Sequence, residues 1–584
     1  MKLTGTTSPR FIFDMTDQAN MSLEESASAS EPSTAMVSKI PWSDLLIIAV
    51  IGLLIQAVWL FRLEQPSYMD AYYYAGNGER LADGHGFTEM VIWQYLDDPD
   101  GLPTPSHTYW MPLPSILAAI GFTVRGDFLG EQLVFWLLGG LLPLLSFAVS
   151  ILLSGERWQA WVAALFTATG SFYGAFFSQP STFSPFAWAG AACLLMLGIV
   201  GASQLEPIGS SRIMQLAQNR PWIFWFMAGI FAGFAHLTRA DGILLLVIAL
   251  AIWTVALISL RRTAQKVNDS GQSHKVSFKK SGVNLVLLVS GYLIIMGGWF
   301  VRNWTVMNRP LSTVGFQSML LTTYDDLFAY GRTINLSGYL AWGWENILLS
   351  KLESLWVGIQ TLIAVPGVVF LVPFVIIALA KYYKIPGKRA LLRPVVWYAM
   401  ALILSMSILF TFPGMRGAVF HSSSALWPWS TALAAAGIGF AVDWTASRLP
   451  HWDPEKAKRR FSILFIMLAL FLGFYVSQSR AESSQDPAVY LQIGEKLPAG
   501  SIVMAGNAPA VNYHTDLPSL SVPNEPVSVV IEAANRYGVT HLLLDKDAPL
   551  PLQDIYQGVA SDPRIRLIEA FGDTKLYQFV EGLE

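Results

Sequence analysis

The sequence predicts an all-α polytopic membrane protein of about 11 transmembrane helices, followed by a small C-terminal α/β domain outside the membrane. Three observations lead there. Of 584 residues, 53% are hydrophobic and only 14% charged, where a soluble domain carries about 25% charge. Long apolar runs recur at short intervals. After Ser477 the pattern changes to short alternating segments.

A helix needs roughly 20 apolar residues to cross a bilayer. Runs that meet this need lie at 45–61, 133–153, 158–178, 183–202, 222–236, 241–260, 284–301, 355–380, 394–412, 421–441 and 461–478, with 112–124 ambiguous. Residues 1–42 are rich in Ser, Thr, Ala and Glu and read as a disordered cytoplasmic tail. No signal peptide is visible at the extreme N-terminus, so Leu45–Phe61 reads as an uncleaved signal anchor. Residues 43–478 form the transmembrane domain, with two long outer loops at 62–132 and 302–354. Long loops in a compact protein usually carry function.

Orientation follows from the positive-inside rule. With the N-terminus cytoplasmic, the inner loops carry 19 Lys and Arg, and the longer outer connections about half as many. The expected location is the plasma membrane, with the C-terminal domain, residues 479–584, outside. In that domain "DPAVYLQIGEKLP" and "PVSVVIEAANRYGV" are helix-like. "SIVMAG" and "THLLLDKD" are strand-like, and "RIRLIEAF" with "TKLYQFV" reads as a final hairpin.

A net charge of −3 gives no field for a nucleic-acid partner. One cysteine, Cys193, excludes an intramolecular disulfide and a thiolate cluster. No P-loop, nucleophile elbow or zinc motif occurs. The acidic turn "DDPD" at 97–100 leaves a divalent cation possible, though none is expected to be obligatory.

Four stretches carry candidate chemistry. "SYMDAYYYAGNGERLADGHGF" fits a capping box, Ser67 to Asp70, opening a helix over 68–83 that Gly84 and Gly86 end. Asp70, Tyr73, Tyr74 and Asn77 then share one face, so Asp70 is a cap or a general base. In "HTYWMPLPS", Pro112 and Pro114 break any helix, Tyr109 and Trp110 suit a membrane interface, and His107 could titrate near neutral pH. In "AHLTRADGILLL", Arg239 and Asp241 sit in a tight turn, solvated, paired with each other, or facing a phosphate. In "GWFVRNWTVMNRP", Arg302 and Asn303 close an apolar helix as interfacial anchors or as a phosphate site. Farther on, Asp325 and Asp326 lie near Trp342 and Trp344, a mixture that suits sugar binding or a loop on the membrane.

In this order the four stretches, with a small α/β domain at the end, resemble the GT-C glycosyltransferases. Within them they look like the bacterial, family 39-like branch related to protein O-mannosyltransferases and to the aminoarabinose transferase of lipid A. The resemblance covers roughly 42–480 and is best over 66–330. It implies a polyprenyl-phosphate sugar donor and a lipid, glycan or protein acceptor on the outer face. It maps the family's catalytic acid onto Asp70. Arg239 and Arg302 become clamps for the leaving lipid phosphate, while Tyr73, Tyr74, His107, Tyr109, Asp241 and Asn303 become substrate-binding residues. One departure is that the outer turn "FFSQPSTFSPFAW", where several relatives carry a second acid, has none. That argues against a metal mechanism of the oligosaccharyltransferase kind. The competing class is a transporter or flippase for a lipid-linked saccharide, which calls for polar or broken helices at mid-membrane.

Overall fold

A computed structural model describes residues 41–205, 211–269, 278–449, 451–483 and 487–580. The predicted tail over 1–40 lies outside them. Among the described residues ten helices are long and apolar enough to cross a membrane, or eleven if one bent pair counts as a span.

Most predicted spans coincide with helices, lengthened at their ends. The bent pair is the third span. The helix Arg157–Thr169 ends at Gly170, whose φ is 65°, and a 3₁₀ segment Ser171–Ser178 continues at 60° to it. A left-handed φ of this kind suits glycine because no Cβ clashes.

The predicted span 355–380 does not exist as one helix. Trp344–Ala364 is the membrane-length helix, and Val372–Tyr382 is a separate short one. Pro366 and Gly367 fall in the break, and Val368 and Val369 take positive φ. Proline removes a backbone donor and stops the ladder there. The second long loop therefore ends near Gly343, not at residue 354.

Pro112 and Pro114 do not abolish a helix; they begin one, Leu113–Arg125. At the first turn the missing N–H costs nothing, and the fixed φ of proline is already helical.

The C-terminal region is built on a six-stranded sheet in the order β2–β5–β4–β6–β8–β7. Here β2 is Val91–Ile92, β4 Val503–Ala505, β5 Ser519–Ser521, β6 His541–Leu544, β7 Ile565–Phe571 and β8 Thr574–Phe579. The first three pairings, β2–β5, β5–β4 and β4–β6, are parallel. The last two are antiparallel. Alternation of side chains along the strands divides the core in two. Met504, Leu520 and Leu542 pack with the helix Val527–Tyr537 on one face. Val503, Ala505 and Leu543 pack with Tyr490, Ile493, Ala510 and Val511 on the other.

Strand β2 comes from the first long loop. A boundary at residue 479 therefore cuts through this sheet, and the described residues from 41 onward group as one unit. A second ribbon in that loop pairs β1, Thr88–Glu89, with β3, Thr104–Pro105.

Candidate active site

Asp70 is the second residue of the helix Met69–Ala82. The predicted capping box is not formed. Tyr68 is the N-cap without a side-chain bond, and the Ser67 hydroxyl and N–H both donate to Gln179 Oε1, at 3.1 and 3.0 Å. Capping therefore does not account for this acid.

The three tyrosines after it diverge, because successive helix residues are rotated by about 100°. Tyr72 enters the α/β core and its hydroxyl lies 3.2 Å from His514 Nε2. Tyr73 turns toward the first loop, where its hydroxyl accepts the His107 N–H at 2.8 Å and its ring lies 4.3 Å from that of Trp110. Tyr74 lines a cavity with Asp70. The single predicted face is thus two: Asp70 with Tyr74, and Tyr73 with Asn77, whose Nδ2 donates to the Tyr73 carbonyl at 3.0 Å.

The cavity measures about 1110 Å³. It gathers Asp70, Tyr74, His107, Tyr109, Arg239, Asp241 and Asn303, which are far apart in sequence, at one end of the bundle. Leu244, Phe316, Leu409 and Phe410 supply an apolar wall, and Tyr490, Asn507 and Asp547 come from the α/β region. Burial pushes the Asp70 carboxyl up to about 6, against the pull of the Arg239 guanidinium. Tyr74 is held well above the usual phenol range, chiefly by burial and then by the Asp70 charge. Tyr109 is pushed up to about 12 by burial.

Arg239 bonds Asp241 Oδ1 through Nε at 2.9 Å and also donates to the Ser422 hydroxyl at 2.9 Å. Ser422 in turn donates to Asp241. The arrangement fixes the Arg239 guanidinium where its charge acts on Asp70.

Two predicted residues stand outside the lining. Tyr73 does so, as described. Arg302 donates to the carbonyls of Ser106 and Phe87 at 2.6 and 3.2 Å and lies over the Trp299 ring. Its guanidinium pins the first loop. Asn303, which does line the cavity, is held by Arg302 on its oxygen and by the Pro310 carbonyl on its nitrogen.

His107 does not titrate near neutral pH. Burial, with Arg302 adding to it, lowers it to about 3. Its two ring nitrogens meet the hydroxyls of Ser106 and Ser115, at 2.8 and 3.0 Å. Behind it Glu89 is buried and raised to about 8 by desolvation, with Asn77 donating to it at 3.3 Å.

Of the two later acids, Asp325 lines the cavity. Asp326 closes its own turn by accepting from Thr322 and Thr323. In the "DDPD" turn, Asp98 pairs with Arg536 at 2.7 Å and Asp97 accepts from Gln94. Among the described residues no group of three His, Cys, Asp or Glu side chains is placed to hold a metal.

Sequence reasoning missed Arg416, Tyr324 and His421, all of which line the cavity. Arg416 lies over the Tyr324 ring at 5.3 Å, and His421 Nδ1 is 2.7 Å from the Thr182 hydroxyl. A signal for Arg416 existed. It sits between two predicted spans on the same side as Arg239, in "FPGMRGAVFH".

No family model matches the sequence, and no curated protein matches it either. Likeness is found among solved structures. ArnT from Cupriavidus metallidurans in the apo state superposes with a TM-score of 0.54 at 13% identity, over 92% of this chain and 97% of that one. The same protein bound to undecaprenyl phosphate gives 0.49 at 14% identity, over 93% and 99%. The archaeal oligosaccharyltransferase AglB from Archaeoglobus fulgidus, with an inhibitory peptide and a dolichol-phosphate, gives 0.47 at 12%, over 88% and 70%. At these identities the likeness is one of fold. The particular fold it shares, on the strength of the apo superposition, is that of ArnT.

Proposed function

We propose that this chain is a membrane glycosyltransferase that moves a sugar from a polyprenyl-phosphate donor to a hydroxyl-bearing acceptor on the outer face of the membrane. The observation that carries the reading is the placement of Asp70 beside Arg239 in one cavity at the end of the bundle, with an apolar wall next to them. A polyprenyl chain requires such a wall, and its phosphate requires a cation at headgroup depth.

In this mechanism Asp70 takes the proton of the acceptor hydroxyl. The acceptor oxygen bonds to the anomeric carbon as the bond to phosphate breaks, and the polyprenyl phosphate leaves with its charge on Arg239, assisted by Arg416. One base suffices for inversion. Tyr73 and His107 hold the first loop against the helix that carries Asp70, and Arg302 pins the same loop to Phe278–Met307. The proposal takes the N-terminus as cytoplasmic and invokes no metal step.

Membranes carrying the full chain, given radiolabelled undecaprenyl-phosphate sugars and envelope extract, should transfer label. Asp70→Asn should lower transfer by about 10²–10⁴-fold while retaining undecaprenyl phosphate. Transfer that persists undiminished in Asp70→Asn would remove Asp70 as the base. Transport of a lipid-linked saccharide without transfer would favour the flippase reading.

A further inference from the structure

Strands β5, β4 and β6 run parallel, so their carboxyl ends point the same way. The residues after each of them line the cavity: Asn507 follows β4, Asn524 follows β5, and Asp545 and Asp547 follow β6. The chain leaves β4 for β5 on one side of it, then crosses to β6 on the other side. The two crossover helices, Ala508–Thr515 and Val527–Tyr537, pack on opposite faces of the sheet. The loops after β4 and β6 therefore part and leave a crevice. Open α/β sheets bind ligands at such switch points.

A second observation is independent of topology. Ser521, the last residue of β5, borders the cavity and is 1% exposed, and its Oγ has no hydrogen-bond partner among the described residues. A buried hydroxyl left unpaired is costly, and a bound ligand would satisfy it.

The cavity's lining cations are unevenly placed, although Asp70, Asp241 and Asp325 put carboxylates on the bundle part as well. These cations, Arg239 and Arg416, both come from the helical bundle. The sheet edge contributes amides and carboxylates and no cation. A lipid phosphate belongs on the bundle side. Carboxylates and amides suit ligands that donate through several hydroxyls. The volume of about 1110 Å³ exceeds the roughly 300–1,000 Å³ of a pocket for one drug-sized ligand, leaving room for a second.

We propose that the carboxyl edge of the sheet is a subsite for a neutral, hydroxyl-rich saccharide, the acceptor of the transfer, held by Ser521, Asn507 and Asp547. The proposal rests on the transferase reading for the word acceptor; saccharide binding at this edge does not depend on it.

The test uses the detergent-solubilised full chain on an array of neutral and anionic oligosaccharides, with undecaprenyl phosphate binding measured on the same preparations. The wild-type chain should retain neutral members. Ser521→Val and Asp547→Asn should each weaken retention by about five- to ten-fold, the effect of losing one hydrogen bond, with lipid binding within about two-fold. No retention by the wild type, retention only of anionic members, or equal retention by both variants would overturn the subsite. Parallel loss of lipid binding would assign these residues to the donor and overturn it as well. Transfer is not part of this readout, so failure of the Asp70→Asn experiment leaves the result standing.

Discussion

Arg239 and Asp241 form an ion pair at 2.9 Å with side chains only 15% and 9% exposed. A pair so little exposed at a cavity wall is held by geometry, and here the Ser422 hydroxyl bridges the two partners. Removing one charge strands the other. Asp241→Ala is expected to destabilise the chain by about 3–5 kcal/mol, read by denaturation in detergent. The double change Arg239→Met with Asp241→Leu should recover much of that loss, because no unpaired charge remains. A single variant as stable as the wild type would show that Arg239 is solvated instead.

Asp70 should impose its own pH profile. Its carboxyl is raised to about 6, mainly by burial, and a base works in its ionised form. Transfer should therefore be flat above about pH 7 and fall about ten-fold per unit below pH 6. Asp70→Asn should lower the rate by about 10²–10⁴-fold. His107, held near 3, stays neutral throughout, so His107→Gln should keep the inflection near pH 6 whatever its rate. An inflection that moves with His107 would reassign the base.

Glu525 ties the second loop to the sheet. One of its oxygens accepts the N–H groups of Tyr330 and Gly331 at 2.7 and 2.8 Å, and Arg332 lies 3.4 Å from the other. Glu525→Ala removes the charged acceptor these two N–H groups share, at a cost of about 1–3 kcal/mol. Limited proteolysis should then cut within 322–335 before the rest of the chain. Unchanged cleavage would mean the loop is held by its apolar contacts alone.

Gly229 allows two spans to touch backbone to backbone. A Cβ there would lie 2.0 Å from the Leu288 carbonyl oxygen, and one at Gly291 would lie 2.4 Å from that of Phe226. Small residues permit such close packing where lipid supplies no hydrophobic drive. Gly229→Val should separate Pro221–Thr238 from Phe278–Met307 and lower the midpoint of thermal unfolding by several degrees, about 1–3 kcal/mol of overpacking. A control at Gly297, where a Cβ meets nothing within 4 Å, should leave it unmoved.

The legible parts of this chain share a physical cause. Bilayer helices must be long and apolar because lipid cannot satisfy a bare backbone, so nine of the ten could be read from composition with little more than their ends displaced. The hairpin Ile565–Phe579 was legible because its two strands run to seven and six residues on either side of a short turn. Strands β2 and β5 were not, since two or three residues carry no period. The span 355–380 misled because its apolar content continues through Pro366, where its backbone does not.

The sequence by itself determined a polytopic bundle, an α/β end, and four stretches in which acids, arginines and aromatics stand together. Local pattern is enough for these, because hydropathy, turn residues and charge act within a few residues of one another. Only the tertiary structure decided which of those side chains share a space. Asp70, Arg239 and Asn303 meet in the cavity although more than 200 residues separate the first from the last. Arg302 and Tyr73, their neighbours in sequence, turn away because a helix rotates each successive side chain by about 100°, and the loop carbonyls and His107 capture them. The same packing joined the first loop to the C-terminal sheet, and brought Ser521, Asn507 and Asp547 into the lining of the cavity that holds Arg239 and Arg416.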